Sequence, residues 1–520
     1  MPTPRRLSGV VSLLWLGLAG PLSAWSLPVD QFGALGDGVA DDTAAIQAAL
    51  NASVPGGAVS FTPGKRYRIA GTLTGLVPKS DTRLILRGAT LVGEDQPGGR
   101  CRIFTIAGKS RITLSGGTFL GRRTGTASWS IAVHVSDSTD IVVEDAVFRD
   151  FDTDALAVTG DTGCRRVTIR RCRVSNAGRS GMSLISGSDI TVEDSLFEGS
   201  QNADTNMPRA GLEAEPNADN SLSRITVARC HFRNNQGSGL FFQVGHGRAL
   251  TDVTLVDNVA QSNGVGGIIL NGLANVVVAR NRISGHLSRN GYGIGLTRRA
   301  ENVVVKGNVL EGNYRGIYCE GSDGVSIESN TVVGTGAGAY AHAGDDGDGI
   351  HVRGYTLAGD PPVIVVAKLA SVTANLVRGA AGRGLLLARV SQAQVADNVV
   401  LDSGQHGIQV QFTSTDAQIQ GNIVARSGLE AERAYQDVFL SHGSARLQVT
   451  QNQLRQGLRV MSGVAQDNVN TTVVAQNCLL AGPPVPLLAS DNATGTAYEW
   501  RGWGEGWNRM GTADGVAFVP

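Results

Sequence analysis

The chain is predicted to be all-β: a right-handed parallel β-helix solenoid of about fifteen coils with a short N-terminal capping helix. Three observations predict it. The first is a repeat: two apolar residues at i and i+2, then a small residue or Asn at i+5. It reads ITVARC at Ile225–Cys230, VTLVDN at Val253–Asn258 and VVVARN at Val276–Asn281. Further copies end at Asn308, Asn330, Asn375, Asn398, Asn422, Asn452 and Asn477, and weaker ones at Ala89, Gly117, Ala146, Cys172 and Ser195. Second, the copies are mostly 22 to 30 residues apart, with no helical segment between them. Third, Gly makes up 69 of 520 residues and aromatics only 5%, which suits short strands and tight turns.

The N-terminus comes first. Arg5 and Arg6, the apolar run Val10–Ala19 and the small-x-small triplet Ala24-Trp25-Ser26 have the layout of an export signal cleaved near Ser26. That predicts a secreted or periplasmic protein. The apolar run is too short for a membrane span. Residues 1–26 are therefore read as signal, 27–75 as cap and first strands, 76–480 as β-helix and 481–520 as a C-terminal cap. Lys plus Arg equals Asp plus Glu, at 45 each, so no net charge draws the chain to nucleic acid or an anionic membrane.

Within each coil the period-2 apolar run is a strand. Strands stack about 4.8 Å apart, so fifteen coils make a rod of roughly 70 Å. A stacked Asn can bond both backbone and the next Asn side chain, which gives this column a structural role. Cys172 and Cys230 share it two coils apart, about 10 Å, beyond disulfide reach; both are expected to be buried thiols. A second column, Gly-apolar-x-apolar, starts at Gly181, Gly211, Gly239, Gly267, Gly293, Gly316, Gly349, Gly384 and Gly407. If Leu212 and Ala214 point inward, Glu213 and Glu215 point outward.

The segment VDQFGALGDG at Val29–Gly38, followed by DDTAAIQAAL at Asp41–Leu50, resembles the N-terminal signature of the pectate-lyase-like superfamily, of the pectate lyase 3 and tailspike type. The resemblance implies a right-handed single-stranded β-helix whose open end this segment caps, and a polysaccharide as partner. Asp41 or Asp42 can N-cap the short helix.

Two coils are overlong: Ser195 to Cys230 and Asn330 to Asn375. Insertions on a solenoid form loops beside the functional face. The first holds GLEAEPN, Gly211–Asn217. Glu213 and Glu215 lie two apart on one strand, about 6.6 Å between Cα atoms, with Asp154 on the same side about 10 Å away. Paired carboxyls supply the acid and base of glycoside hydrolysis, and this spacing suits the wider, inverting arrangement. Asp152-Thr153-Asp154-Ala155 also resembles the Asn-Thr-Asp-Gly motif of polygalacturonase-type hydrolases. It departs from it at Asp152, and the motifs that follow in that family are not found in order.

The expected function is thus a polysaccharide-active enzyme, a glycoside hydrolase with Glu213, Glu215 and Asp154 as its carboxyls. The runners-up are a polysaccharide lyase or uronan C5-epimerase, and a non-catalytic glycan-binding solenoid. The five lysines lie off the outward strand positions, which disfavours a lysine base but leaves Arg, Tyr or His. GLEAEPN loosely resembles the Asp-Pro-His run of alginate C5-epimerases, without the His. Candidate substrate contacts are Asp152, Arg179, Arg209, Asn217, Phe241, Gln243, His246, Asn271, Tyr318, His351 and Arg353. No cofactor is called for. Asp345, Asp346 and Asp348 offer the oxygen ligands Ca²⁺ takes, but not EF-hand spacing. Trp500, Trp503 and Trp507 are expected to cover the last coil. A homo-oligomer stays open.

Overall fold

The computed structural model describes residues 26–455 except 71–73, 95–99, 123–128, 203–207, 218, 246–248, 289–290, 337–346, 358–362, 430–434 and 442. Beyond 455 it describes segments 458–460, 472–475, 477–479, 487–491, 496–500, 507–509 and 516–519. The expected export signal lies, but for Ser26, outside these residues, as do Asp345, Asp346, His246 and Trp503.

Each coil passes through three parallel sheets. One coil runs from Leu212–Ala214 in sheet III to Ser221–Ala228 in sheet I, then His231–Arg233 in sheet II, and re-enters sheet III at Ser238–Gln243. Among the described residues sheet III has 14 strands, close to the fifteen coils expected. The register holds without slippage through Met182, Leu212 and Leu240. The period-2 pattern puts Leu212, Ala214, Ile225 and Val227 fully inside. Inward rings stack between coils, Phe197 on Phe232 at 5.2 Å and Phe119 on Phe148 at 4.8 Å. Burial of such stacked apolar rows drives folding, because no coil can cover its own inner face.

The N-terminal end is closed by helix Thr43–Ala52, which buries Ile46, Ala49 and Leu50. Asp42 stands at its N-cap position but makes no side-chain cap bond. Its carboxylate instead accepts from the Leu35 and Gly36 amides, fixing the glycine-rich turn. Asp41 accepts from the Thr43 amide, so the acidic pair divides the capping between two turns.

The Asn column is a continuous hydrogen-bonded ladder between sheets I and II. Each Asn Nδ2 donates to the next Asn Oδ1, as in Asn258 to Asn281 at 3.1 Å, Asn281 to Asn308 at 3.0 Å and Asn308 to Asn330 at 2.9 Å. It bridges the overlong coil from Asn330 to Asn375 without a break. A second ladder runs between sheets II and III through Asn235, Asn263, His286 and Asn313. There the His286 ring stands in for an amide.

Cys172 and Cys230 are buried in the first ladder's column, each Sγ facing main-chain oxygens. Burial pushes the thiols of Cys172, Cys230 and Cys319 up to about 12. Since the thiolate is the reactive form, these three are expected to ignore a thiol reagent in the native protein and to react on unfolding. Titration before and after denaturant checks this.

The edges of sheet I carry two charge ladders. One runs Asp145, Arg171, Asp194, Arg229, Asp257, Arg280; the other Asp81, Arg111, Asp140, Arg166, Asp189, Arg224, Asp252. Every member sits at a left-handed φ between 51° and 60°, the first row just after the sheet I strands and the second near their starts. Each Arg grips the Asp one coil earlier: Arg171 on Asp145 and Arg229 on Asp194, both at 2.7 Å, and Arg280 on Asp257 at 2.8 Å. Left-handed backbone is unfavourable for Arg; the planar fork bonding a carboxylate one coil below helps offset that. Six of the chain's forty arginines stand in these two rows, and none of its five lysines does.

The second overlong coil extrudes an antiparallel hairpin, Tyr355–Leu357 with Val363–Val365. At the C-terminus, strands Leu487–Asp491, Thr496–Trp500 and Trp507–Arg509 form a separate antiparallel sheet.

Candidate functional site on sheet III

Sheet III carries two polar clusters on its outer face. The first is built by three successive coils. Asp154 precedes strand Leu156–Thr159, Arg179 lies in the turn before Met182–Leu184, and Glu213 is the central residue of Leu212–Ala214. Arg179 joins them: Nη1 to Asp154 Oδ2 and Nη2 to Glu213 Oε2, each at 2.9 Å. The Ser180 amide donates to Asp154 Oδ1, and Ser180 Oγ to Glu213 Oε2.

Alternation does send Glu213 outward, yet its side chain is wholly buried, because Arg179 and the Ser180 turn of the preceding coil lie over it. Asp154 is buried too, and the two carboxyls converge on one guanidinium instead of standing apart across an open face. Burial pushes Glu213 up to about 8; Arg179 opposes this, while Asp154 and Glu215 add to it, Glu215 also as a hydrogen-bond partner. Asp154 is likewise raised by burial, against the pull of Arg179. Glu215 is partly exposed, and its Oε1 accepts from Gln243 Nε2 at 2.6 Å.

Other expected contacts are more scattered. Asp152 is buried in its turn, its amide donating to Ser130. Arg209 reaches Gln236, and Asn217 is exposed. Asn271 accepts a hydrogen bond from Thr297. Phe241 follows Glu213 in register.

The second cluster lies four coils further on. The outward row reads Glu213, Phe241, Ile269, Gly295, Tyr318, His351, which places Tyr318 about 19 Å from Glu213. The Tyr318 hydroxyl donates to Glu320 Oε1 at 2.9 Å, and Arg353 Nε lies 3.6 Å from the same oxygen. The Arg315 guanidinium sits 5.6 Å from the Tyr318 ring centre and 5.4 Å from that of Tyr292, whose hydroxyl it also bonds. His351 packs edge-on against Tyr318 at 5.2 Å. Burial, then Glu320, raise the Tyr318 hydroxyl above its ordinary range, so it holds its proton at neutral pH.

Beneath them Asp348 is buried between Arg383 Nε at 2.8 Å and His351 Nδ1 at 3.1 Å. Burial pushes Asp348 up, but His351 and Arg383 outweigh it and hold the carboxyl down. Asp348 is thus engaged by a resident cation. Among the described residues no group of three or more acids, histidines or cysteines is placed to hold a metal.

Tyr292, Arg315 and Arg383 are absent from the expected contacts. All stand immediately before a glycine of the Gly-apolar-x-apolar column, at Gly293, Gly316 and Gly384. That fixed position was the signal that could have found them.

The family model "Right handed beta helix region" matches residues 103–283 and 206–357. The model "Rhamnogalacturonase A/epimerase, pectate lyase-like" matches residues 27–99, the cap and first coils. The chain belongs to the pectate-lyase-like superfamily. Among solved structures, the A-module of the Azotobacter vinelandii mannuronan C-5 epimerase AlgE4 is similar over 76% of this chain and 98% of that one, with a TM-score of 0.52 and 17% identity. The tailspike gp61 of Pseudomonas phage phi297 is similar over 74% and 82%, with a TM-score of 0.50 and 11% identity. In sequence, the uncharacterized protein YclG of Bacillus subtilis is 22% identical over 257 residues, 44% of this chain and 43% of that protein. The chain thus spans under half the length of that relative.

Proposed function

We propose that this member of the superfamily is an exported polysaccharide-active enzyme that removes the C5 proton of a uronate residue at the Tyr318 cluster, the step shared by lyases and C5-epimerases. One observation carries it: a tyrosine hydroxyl hydrogen-bonded to a carboxylate and flanked by two arginines on the outer face. Taking a proton from the carbon beside a carboxylate requires that the charge building on that carboxylate be neutralised. Arg315 and Arg353 are the cations at hand. The phenol oxygen takes the C5 proton as its own proton passes to Glu320. The carbanion is held as its enolate form. In elimination the C4–O4 bond breaks, C4=C5 forms, and the proton returns through Tyr318 to O4. In epimerisation solvent water gives a proton to C5 from the other side, and the proton held by Tyr318 and Glu320 is released to the hydroxide left behind. The epimerase module with the same fold performs chemistry of this second kind.

Hydrolysis at Glu213 and Glu215 is the second reading, favoured by the raised Glu213. Weighing against it, Glu213 is wholly buried beneath Arg179 and the Ser180 turn, whereas the acid and base of a glycosidase must both reach the scissile bond.

Tyr318→Phe is expected to lower kcat about 10²- to 10³-fold with little change in KM, while Glu215→Gln leaves kcat near wild type. Unsaturated uronate, read by its ultraviolet absorbance, or C5-inverted uronate, read by NMR, would be the product. New reducing ends without either, lost in Glu215→Gln and kept in Tyr318→Phe, would put the chemistry at the first cluster.

A further inference from the structure

Between the two clusters the outward strand positions of sheet III are uncharged over three coils, and Arg298 and Arg299 follow only after the last of these strands ends. One row is Phe241, Ile269, Gly295 and the next is Gln243, Asn271, Thr297. The charge at the two ends differs. Arg315 and Arg353 frame the Tyr318 end. At the other end Arg179 is already shared by Asp154 and Glu213, and the partly exposed group is the Glu215 carboxylate.

A polymer lying along this face from Tyr318 meets about one coil every 4.8 Å. If every sugar carried a carboxylate, several would lose water against strand positions that offer amides, a hydroxyl and hydrocarbon but no cation. An unpaired carboxylate pays heavily for such contact, and Glu215 would repel the furthest of them. Uncharged sugars fit instead: their apolar ring faces can lie on Phe241 and Ile269, and their hydroxyls can bond Gln243, Asn271 and Thr297.

We infer that the substrate is a mixed polysaccharide, in which the uronate taken at Tyr318 is followed, towards Glu215, by uncharged sugars. This rests on the Tyr318 assignment above. It specifies which uronate polymers the face accepts.

The test compares kcat/KM for the full-length protein on homopolyuronates (polygalacturonate and alginate) and on exopolysaccharides in which glucuronate alternates with neutral hexoses, reading unsaturated and epimerised uronate. Asn271→Lys, which places a cation mid-face, is run beside wild type. The expected result is a preference for the mixed polymers of about tenfold or more, narrowed in Asn271→Lys by a gain on homopolyuronate. Equal or better turnover of a homopolyuronate by wild type overturns the inference and leaves the Tyr318 chemistry standing. Absence of both products from every polymer overturns the Tyr318 chemistry, and the inference with it.

Discussion

Asn308→Ala is expected to destabilise the rod by about 4 kcal/mol or more. The Asn308 side chain makes four buried hydrogen bonds. Its Oδ1 accepts from the Asn281 amide and from Asn281 Nδ2, and its Nδ2 donates to Val278 O and to Asn330 Oδ1. Alanine strands two donors of Asn281 at once, and each buried donor left unmade costs about 1–3 kcal/mol. Asn308→Ser should lose less, because serine already serves in this column: Ser195 Oγ accepts from the Cys172 amide at 3.0 Å. Unfolding rates in urea, measured for wild type, Ala and Ser, give the order. An alanine variant as slow to unfold as wild type would mean that the ladder is not a stabilising element.

Glu213→Gln should flatten the dependence of stability on pH between about 4.5 and 8. Burial lifts the Glu213 carboxyl from 4.5 to about 8, so across that window the native state binds a proton that the unfolded chain has released. Stability from this group is full below about 4.5 and is lost as pH rises towards 8, at about 1.4 kcal/mol per pH unit near mid-window. Glutamine cannot titrate, keeps an acceptor for Arg179 and lacks the slope. Urea midpoints at several pH values check it. A wild-type slope that survives in Glu213→Gln would show that another group carries it. Gln243 and Glu215 lie beside this network, so the same variant also reports on how far the first cluster shapes the face.

Much of the fold was legible because a solenoid writes its contacts into its period. The Asn at i+5 and the Gly before the outward strand named the two columns, and alternation told inward from outward. The second ladder was equally legible and was passed over: Asn263, His286 and Asn313 each follow the first ladder by five residues, from Asn258, Asn281 and Asn308. The site was harder. Period-2 alternation gives the direction of Glu213 but not what covers it, and the cover comes from Arg179, 34 residues earlier. Tyr318, His351 and Arg353 were named as outward residues. Of their partners, Arg383 precedes its strand, where alternation makes no statement, and Arg315 opens one, Arg315–Glu320, ahead of the apolar run that marks it.

The two charge ladders make coil number a matter of parity. Asp145 and Asp140 belong to one coil, Arg171 and Arg166 to the next, Asp194 and Asp189 to the one after. Removing a single coil here would set Asp145 on Asp194 and Asp140 on Asp189, two like-charged pairs at once, which is destabilising for directly opposed strand residues. Removing two would restore Asp on Arg in both rows. This stretch of the rod can therefore change length comfortably only in even steps, and a slipped coil during folding announces itself as a double charge clash before any apolar contact is lost.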